Sequence, residues 1–352
     1  MTAQTESELR LVDLVGAFAT AGELGRGQPV GHLARVCWLS QRIGEEMKLS
    51  ESTLTDLYYT SLLAHIGCTA GASEFATFLM SDELVAQHDV FLCDPDNLRQ
   101  VLAWLARHTA TGRSRPIRAG LFARALLGAD KAIGGAESGC EDVGARIAER
   151  LGMSEVVRGG VYNICETWGG KGPRHQKGES IPLVARIVGA AMIIEVLLTE
   201  FGASEGREAV RRRRGRSLDP TVVDAFTAIA ERSEFMAALE AGGTWEWVRS
   251  HDRSSRVADE RSIEAAALAF ADFGDLKSSG YAAHSRATAA LAERIAERLG
   301  CSPADVTLAR RAALVHAAGH AGVARAIEQE RAAAAELFLQ EPGSGVEAFA
   351  LQ

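Results

Sequence analysis

Apolar residues recur at three- and four-residue steps through most of the chain, which is the spacing of one face of an α-helix. The first clear run consists of Leu33, Val36, Leu39, Ile43 and Met47. Alanine is abundant and aromatic residues are few, which favours helix over sheet. The pattern therefore predicts an all-α protein.

Further helices follow from the same periodicity and from residues that start and end helices. Pro182 is well placed to open an apolar helix, Gly152 to close one, and the polar, glycine-rich stretch 169–180 predicts a loop. The predicted helical pieces after the first run are 54–62, 73–90, 97–109, 117–128, 141–151, 153–165 and 183–198.

The chain contains an internal repeat. The segment from His32 to His65 is similar to the segment from His284 to His316: an amphipathic helix, a turn, and a second helix that ends in apolar residues before histidine. The two spacings differ by one residue when the histidines are paired. Tandem copies of one unit are expected. We divide the chain into a first domain at 1–240, a linker at 241–262 and a partial second helical block at 263–352.

Charge and cysteine content indicate which binding partners and which cellular location to expect for the protein. A net charge of -8 gives no basic field for nucleic acid, so we interpret Arg211 to Arg214 as solvated helix surface. Six scattered cysteines suggest reduced thiols, and the N-terminus has no secretory pattern. The longest apolar stretch, Ile187 to Leu198, is too short to span a membrane. A cytoplasmic protein is expected.

Several motifs together resemble the HD-GYP group of HD-domain hydrolases. They are GHLARV with His32, SLLAHIG with His65, CETWGGKGP, KGESIPLVARIVGAAM and RRRRGRSLDPTVVDAF. AHIGCTAGASEFA and DFGDLKSSGYAAHS are also similar to actinobacterial HD-domain regulators of the LuxR type. The resemblance implies an HD-like helical bundle, and in active members a pair of metal ions that activates water for attack on phosphorus.

The sequence departs from the ligand set that this resemblance implies. The aspartate of the His-Asp pair aligns with Ile66 and a later aspartate with Met192, while His316 of the second copy is followed by Ala317. A helix-opening histidine aligns with Cys140, the His-His pair with Ile164 and Cys165, and Gly-Tyr-Pro with Gly172, Pro173 and Arg174, whereas Glu166 is kept. With these carboxylates gone, we expect no dinuclear centre and no hydrolysis of cyclic dinucleotides.

Four residues at former ligand positions are candidates for a different metal site. His32, His65, Cys140 and Cys165 supply two imidazoles and two thiolates, a set that suits a single zinc or iron ion. The alternative is a hydrogen-bonded contact between the histidines in a core that the cysteines fill. Either way the four residues are expected in one interior cluster.

A ligand site is predicted next to that cluster. Trp168 and Lys171 of the polar loop and Arg186 on the following helix are the candidate ligand-binding residues, although such a tryptophan also packs loops onto a core.

The lost ligands favour a non-catalytic regulatory or ligand-sensing protein, which acts through a homodimer, a protein partner or a small molecule. In the homodimer, residues 263–352 would supply much of the interface, because Ala287, Leu291, Ile295 and Leu299 share one face of a helix whose covering helices are missing. The intramolecular alternative is that this block docks onto the first domain. One alternative is a divergent metal-dependent phosphohydrolase or mononuclear-metal enzyme. Another is a transcriptional regulator that works with a separate DNA-binding segment.

Overall fold

The architecture was taken from a computed structural model, which describes residues 9–276 and 283–323. These residues contain fifteen α-helices and no β-strand, so the prediction of an all-α fold is confirmed. None of the described helices combines the length and the apolar character needed to cross a bilayer. The helices are α1 Leu11–Gly25, α2 His32–Glu46, α3 Glu51–Leu62, α4 Thr69–Leu79, α5 Glu83–Asp89, α6 Leu98–His108, α7 Arg115–Arg150, α8 Glu155–Tyr162, α9 Leu183–Arg213, α10 Pro220–Ala230, α11 Phe235–Gly242, α12 Trp245–Ser250, α13 Glu260–Asp275, α14 His284–Arg298 and α15 Pro303–Val315.

The predicted domain at 1–240 is called the first unit below, and the block at 263–352 the second unit. The central helix of the first unit is α9, which packs against the hairpin of α2 and α3 and against α10. Its first half carries apolar residues on almost every side and is buried accordingly. The helix continues beyond the predicted 183–198 and is interrupted at Gly202, whose φ of 74° lies outside the helical region. The buried residues of its first half include Ile187, Val188, Ala191, Met192, Ile194 and Glu195.

One long helix, α7, replaces the separate pieces predicted at 117–128 and 141–151. It runs for 36 residues in spite of the glycines within it. Those glycines lower helix propensity, but some allow close packing that offsets the cost. A Cβ built at Gly144 would lie 2.9 Å from Val161 Cγ1 and 3.4 Å from Ile66 Cγ2. Tertiary contact with α8 and with the turn after α3 therefore overrides local propensity here.

The two repeats fold alike at a constant spacing of 252 residues (284 minus 32). Both first helices begin at histidine, directly after a left-handed residue, Gly31 with φ 88° and Ala283 with φ 61°. Both second helices are capped by a serine hydroxyl, Ser50 or Ser302, that accepts from the backbone three residues ahead. The repeat seen in the sequence is thus a repeat in structure.

The register at the end of the repeat differs from the sequence pairing of His65 with His316. The Cys68 amide donates to the His65 carbonyl at 3.0 Å, and the His320 amide donates to the Ala317 carbonyl at 3.0 Å. The same 252-residue spacing therefore pairs His65 with Ala317, and the apparent one-residue difference disappears. His65 therefore occupies the position that Ala317 has in the second copy, directly after the last histidine of that copy. This is the position of the aspartate in the His-Asp pair, and its assignment to Ile66 is wrong.

The repeat also includes the preceding helices, α1 and α13, which face each other across the two units. Phe18 and Phe270, which are 252 residues apart, stack with ring centroids 3.7 Å apart and planes 8° from parallel. The Glu23 carboxylate accepts from the Leu33 amide at 2.6 Å, and the Asp275 carboxylate from the Ser285 amide at 3.1 Å. Each unit thus uses a carboxylate of its leading helix to cap the helix that begins with histidine.

The segment at 241–262 is packed against the first unit. Helix α12 lies within it, and the Tyr58 hydroxyl donates to the Val248 carbonyl at 2.6 Å. Val248 is fully buried. The segment is therefore part of the folded body, while the domain boundaries at 240 and 263 stay predictions.

Candidate functional site

A cavity of about 940 Å³ opens in the first unit between α7, α9 and the polar loop. It reaches the turn after α1 and the end of α3, so segments far apart in sequence meet in its wall. Its lining includes Arg26, His65, Glu137, Trp168, Lys171 and Arg186. The size is that of ordinary small-molecule sites in proteins.

Two buried histidines lie beside the cavity. His32 at the start of α2 stacks on His65 with ring centroids 5.3 Å apart. His32 Nδ1 lies 2.5 Å from one oxygen of Glu195, and Arg35 Nε donates to the other at 2.5 Å. Burial alone would raise the pKa of Glu195, but His32 and Arg35 hold it at about 2. Glu195 is thus an ionised carboxylate that anchors α2 to α9.

Three thiols continue the cluster. Cys68 Sγ lies 3.8 Å from His65 Nδ1, and the Cys140 thiol donates to the Cys68 carbonyl at 3.6 Å. A hydrogen bond from Cys140 is the main reason that the pKa of Cys68 is low, while burial raises the pKa of Cys165 and lowers that of His65. Cys165 lies in the cavity wall with His65 and Cys68. The structure therefore brings all four predicted metal ligands to one interior region.

As placed, these residues do not fit a metal centre. Among the described residues, no three histidine, cysteine or carboxylate side chains are arranged to hold a metal ion. His32 Nδ1 is already paired with Glu195, and the Nε2 atoms of His32 and His65 are buried without a hydrogen-bond partner. Ile66 and Met192 are buried apolar side chains and offer no carboxylate ligand. A zinc or iron ion at the predicted residues remains a prediction that this arrangement does not support.

The three predicted ligand-binding residues all line the cavity. Arg186 donates to Asp219 at 2.6 Å and lies 5.7 Å from the centroid of the Trp168 ring. Glu166 accepts from the backbone amides of Arg174 and Gln176 at 2.7 and 3.0 Å, which fixes the loop that carries Lys171. The retained glutamate of the family pattern thus has a structural role here.

Sequence reasoning missed three charged residues at this site. Arg26 and Glu137 line the cavity, and burial raises the pKa of Glu137 to about 7. Glu195 had a visible signal, because a lone carboxylate within an apolar helical run needs a buried partner. Arg26 and Glu137 had none, since only the fold shows which distant segments they face.

Comparisons with known proteins agree with this architecture. The HD domain family model matches residues 281–348. The 3'3'-cGAMP-specific phosphodiesterase 3 of Vibrio cholerae serotype O1 is 31% identical over 321 residues, which cover 90% of this chain and 69% of the relative. The crystal structure of the cyclic GMP-AMP specific phosphodiesterase V-cGAP3 of V. cholerae is similar with a TM-score of 0.65 and 26% identity, covering 98% of this chain and 83% of that one.

These relatives correct the functional prediction. Both are named as phosphodiesterases, so the interpretation of this chain as a non-catalytic regulatory protein, drawn from the lost ligands, is wrong. The similarity runs through the first unit, where those ligands are missing, and into the second. Loss of these ligands therefore does not remove the protein from an enzyme family. The resemblance to LuxR-type regulators finds no support in these matches.

Proposed function

The chain belongs to the HD-domain family, and on that premise we propose that it is a phosphodiesterase that hydrolyses a cyclic dinucleotide. The observation that carries the proposal is the 31% identity with a 3'3'-cGAMP-specific phosphodiesterase over 90% of this chain. Similarity over that length extends through both repeats. In the reaction, water adds across one phosphodiester P–O bond and leaves a linear dinucleotide.

The cavity of the first unit suits such a ligand. A cyclic dinucleotide presents two phosphodiester anions and two flat bases. The cavity offers the guanidinium groups of Arg26 and Arg186 and the ammonium group of Lys171 for the anions. Trp168 and Phe91 offer rings on which a base can stack. These cationic and aromatic side chains support binding of a nucleotide in this unit, within a lining that also holds the carboxylates Asp96, Glu137, Glu166 and Asp219.

We assign the hydrolytic step to the second unit because the family model matches residues 281–348, although Ala317 follows His316 there and the described residues of neither unit form a group arranged to hold a metal ion. His284 and His316 meet there with ring centroids 5.3 Å apart, the same separation as in the first unit. A divalent metal, when bound in an HD hydrolase, supplies an activated water. The described residues give no geometry for that step, since 324–348 lie outside them.

Hydrolysis of 3'3'-cGAMP by the purified full chain tests the proposal. The assay contains Mn²⁺ or Fe²⁺, and chromatography separates cyclic substrate from linear product. We expect linear product that increases with time and stops when EDTA is added. Absence of product with either metal, at protein concentrations close to that of the substrate, contradicts the proposal.

A further inference from the structure

A buried guanidinium group occupies the interior side of the cavity. Arg26 is only 4% exposed, yet it lines the cavity, and its Nε has no hydrogen-bond partner in the described structure. Its Nη1 donates to Gln87 through a long bond of 3.4 Å, and it forms no ion pair with a described residue. Neighbouring thiols and Glu137 favour the charge of this guanidinium without an ion pair to it, and its unpartnered Nε keeps a donor for an anionic ligand.

The backbone holds this guanidinium in place. Arg26 is the C-cap residue directly after α1, and Gly27 follows with φ 69°. A Cβ at Gly27 would lie 2.4 Å from the Leu84 carbonyl oxygen, so only glycine fits this turn. The guanidinium lies 5.1 Å from the centroid of the Phe91 ring. The charge is thus positioned before any ligand binds, which reduces the entropy lost on binding.

Arg26 lies in the region where, by the family resemblance, a hydrolytic HD domain would bind its metal ions. Its electrostatic neighbours are Cys68, Cys140 and Cys165, together with Glu137. Two of the thiols, Cys140 and Cys165, stand at former ligand positions of the family pattern. A fixed positive charge is therefore present where metal ligands have been lost.

Two of the four carboxylates that line the cavity have other partners. Asp219 binds Arg186, and Glu166 accepts from two loop amides. Asp96 lies next to Gly169 of the polar loop. Glu137 faces Arg26 without an ion pair between them, and burial raises its pKa to about 7. The Nε of Arg26 consequently has a hydrogen available for an anion.

We propose that the first unit binds a phosphodiester group of a cyclic dinucleotide without a metal ion, and that Arg26 supplies the positive charge that a metal provides in a hydrolytic HD centre. This inference rests on the proposed function for the identity of the ligand. It assigns binding to the first unit, while hydrolysis belongs to the second. The phosphate oxygens would accept from the unpaired Nε and its neighbouring amino group, and a base would lie near Phe91 or Trp168.

Binding of 3'3'-cGAMP to the full chain in EDTA tests the inference by calorimetry. EDTA stops hydrolysis, so binding is measured alone. We expect saturable binding that weakens at least tenfold in Arg26→Gln and recovers in part in Arg26→Lys, because lysine restores the charge without the planar donor pair. Arg124→Gln, an exposed position on α7 outside the cavity, should bind as the wild type does.

Thiol alkylation of the wild-type protein provides a second measurement that needs no variant. Cys68, Cys93 and Cys165 line the cavity, whereas Cys301 is exposed elsewhere. We expect 3'3'-cGAMP in EDTA to slow alkylation of the cavity cysteines, as read by peptide mass spectrometry, and to leave Cys301 unchanged.

The outcomes separate this inference from the proposed function. Loss of binding and of thiol protection in EDTA, in a protein that hydrolyses 3'3'-cGAMP with metal, overturns the inference alone. Binding that is equally tight in folded Arg26→Gln overturns it as well. Binding in EDTA that depends on Arg26, in a protein that shows no hydrolysis, supports the inference and contradicts the proposed function.

Discussion

The buried carboxylate of Glu195 connects the start of α2 to the central helix. Its two oxygens lie 2.5 Å from His32 and from Arg35, and its side chain is 2% exposed. Removing one member of a buried ion pair leaves the other charge without compensation, which is costlier than losing an exposed pair. Glu195 therefore stabilises the histidine cluster itself.

We predict that Glu195→Gln lowers the free energy of unfolding by about 3 kcal/mol at pH 7. The carboxyl pKa is depressed from 4.5 to about 2 in the folded protein, so its contribution is complete above pH ~4.5 and is lost as the pH falls toward ~2. Urea titrations at pH 7 and pH 3 should show the gap between wild type and variant shrinking in acid. Glu149→Gln, which breaks an exposed pair with Arg158, should cost no more than about 0.5 kcal/mol. An equal loss in both variants would rule out the proposed anchor.

At the level of elements, the turn after α3 meets α7 at a distance that only glycine permits. A Cβ built at Gly67 would lie 1.8 Å from the Cys140 carbonyl oxygen and 2.7 Å from the Gly144 amide nitrogen. Both neighbours are backbone atoms, which cannot rotate away. The position of Cys140 in the cavity region depends on this contact.

Gly67→Ala should accordingly destabilise the protein by at least about 2 kcal/mol, because α7 must shift to relieve the overlap. Gly120 lies on the same helix with no heavy atom within 4 Å of a built Cβ, so Gly120→Ala should instead stabilise by about 0.5–1 kcal/mol through helix propensity. Thermal denaturation of both variants measures these two changes in stability. A neutral Gly67→Ala variant would show that this close approach is not needed.

The helices that the sequence predicts best are those of the repeat. Apolar spacing marks α2 and α3 and their counterparts α14 and α15, and a serine start signal precedes α3 and α15. Helix α7 was predicted in pieces, since its glycines read as breaks and only contact with other helices explains them. The apolar run of α9 was evident, but its extension past Gly202 was not.

The candidate site was predictable only in part. Trp168, Lys171 and Arg186 belong to one loop and the helix after it, so local motifs placed them together, and the cavity contains all three. The register of His65 was misassigned because matching histidine to histidine required a gap, whereas Gly67 and Gly319 match without one. Arg26 and Glu137 come from segments without a motif, and their importance follows from burial alone.

At the scale of the whole molecule, one apolar face of the second unit is not covered by any helix of the described residues. Leu291, Ile295 and Leu299 of α14 are 56%, 50% and 76% exposed, and residues 324–352 lie outside the described structure. Exposed apolar area of this kind favours burial, at roughly 25 cal/mol per Å² removed from water. We keep the prediction of a homodimer that uses this face.

Light scattering tests that prediction with paired variants. Wild type is expected at twice the chain mass, and Leu291→Glu combined with Leu299→Glu at the chain mass. Leu127 on α7 is 93% exposed, so Leu127→Glu should leave the dimer intact. A monomeric wild type, or a dimer that survives the double substitution, would refute the assigned interface.

The central claim is that the first unit binds the cyclic dinucleotide and the second unit hydrolyses it. The most direct test is the rate of 3'3'-cGAMP hydrolysis by the full chain carrying His316→Ala or His65→Asn, under identical metal conditions. We predict that His316→Ala lowers the rate at least a hundredfold, because residues 281–348 carry the family match. His65→Asn should keep the rate within tenfold of wild type, since the family match lies outside the first unit. Hydrolysis that survives His316→Ala and disappears in folded His65→Asn would contradict this division.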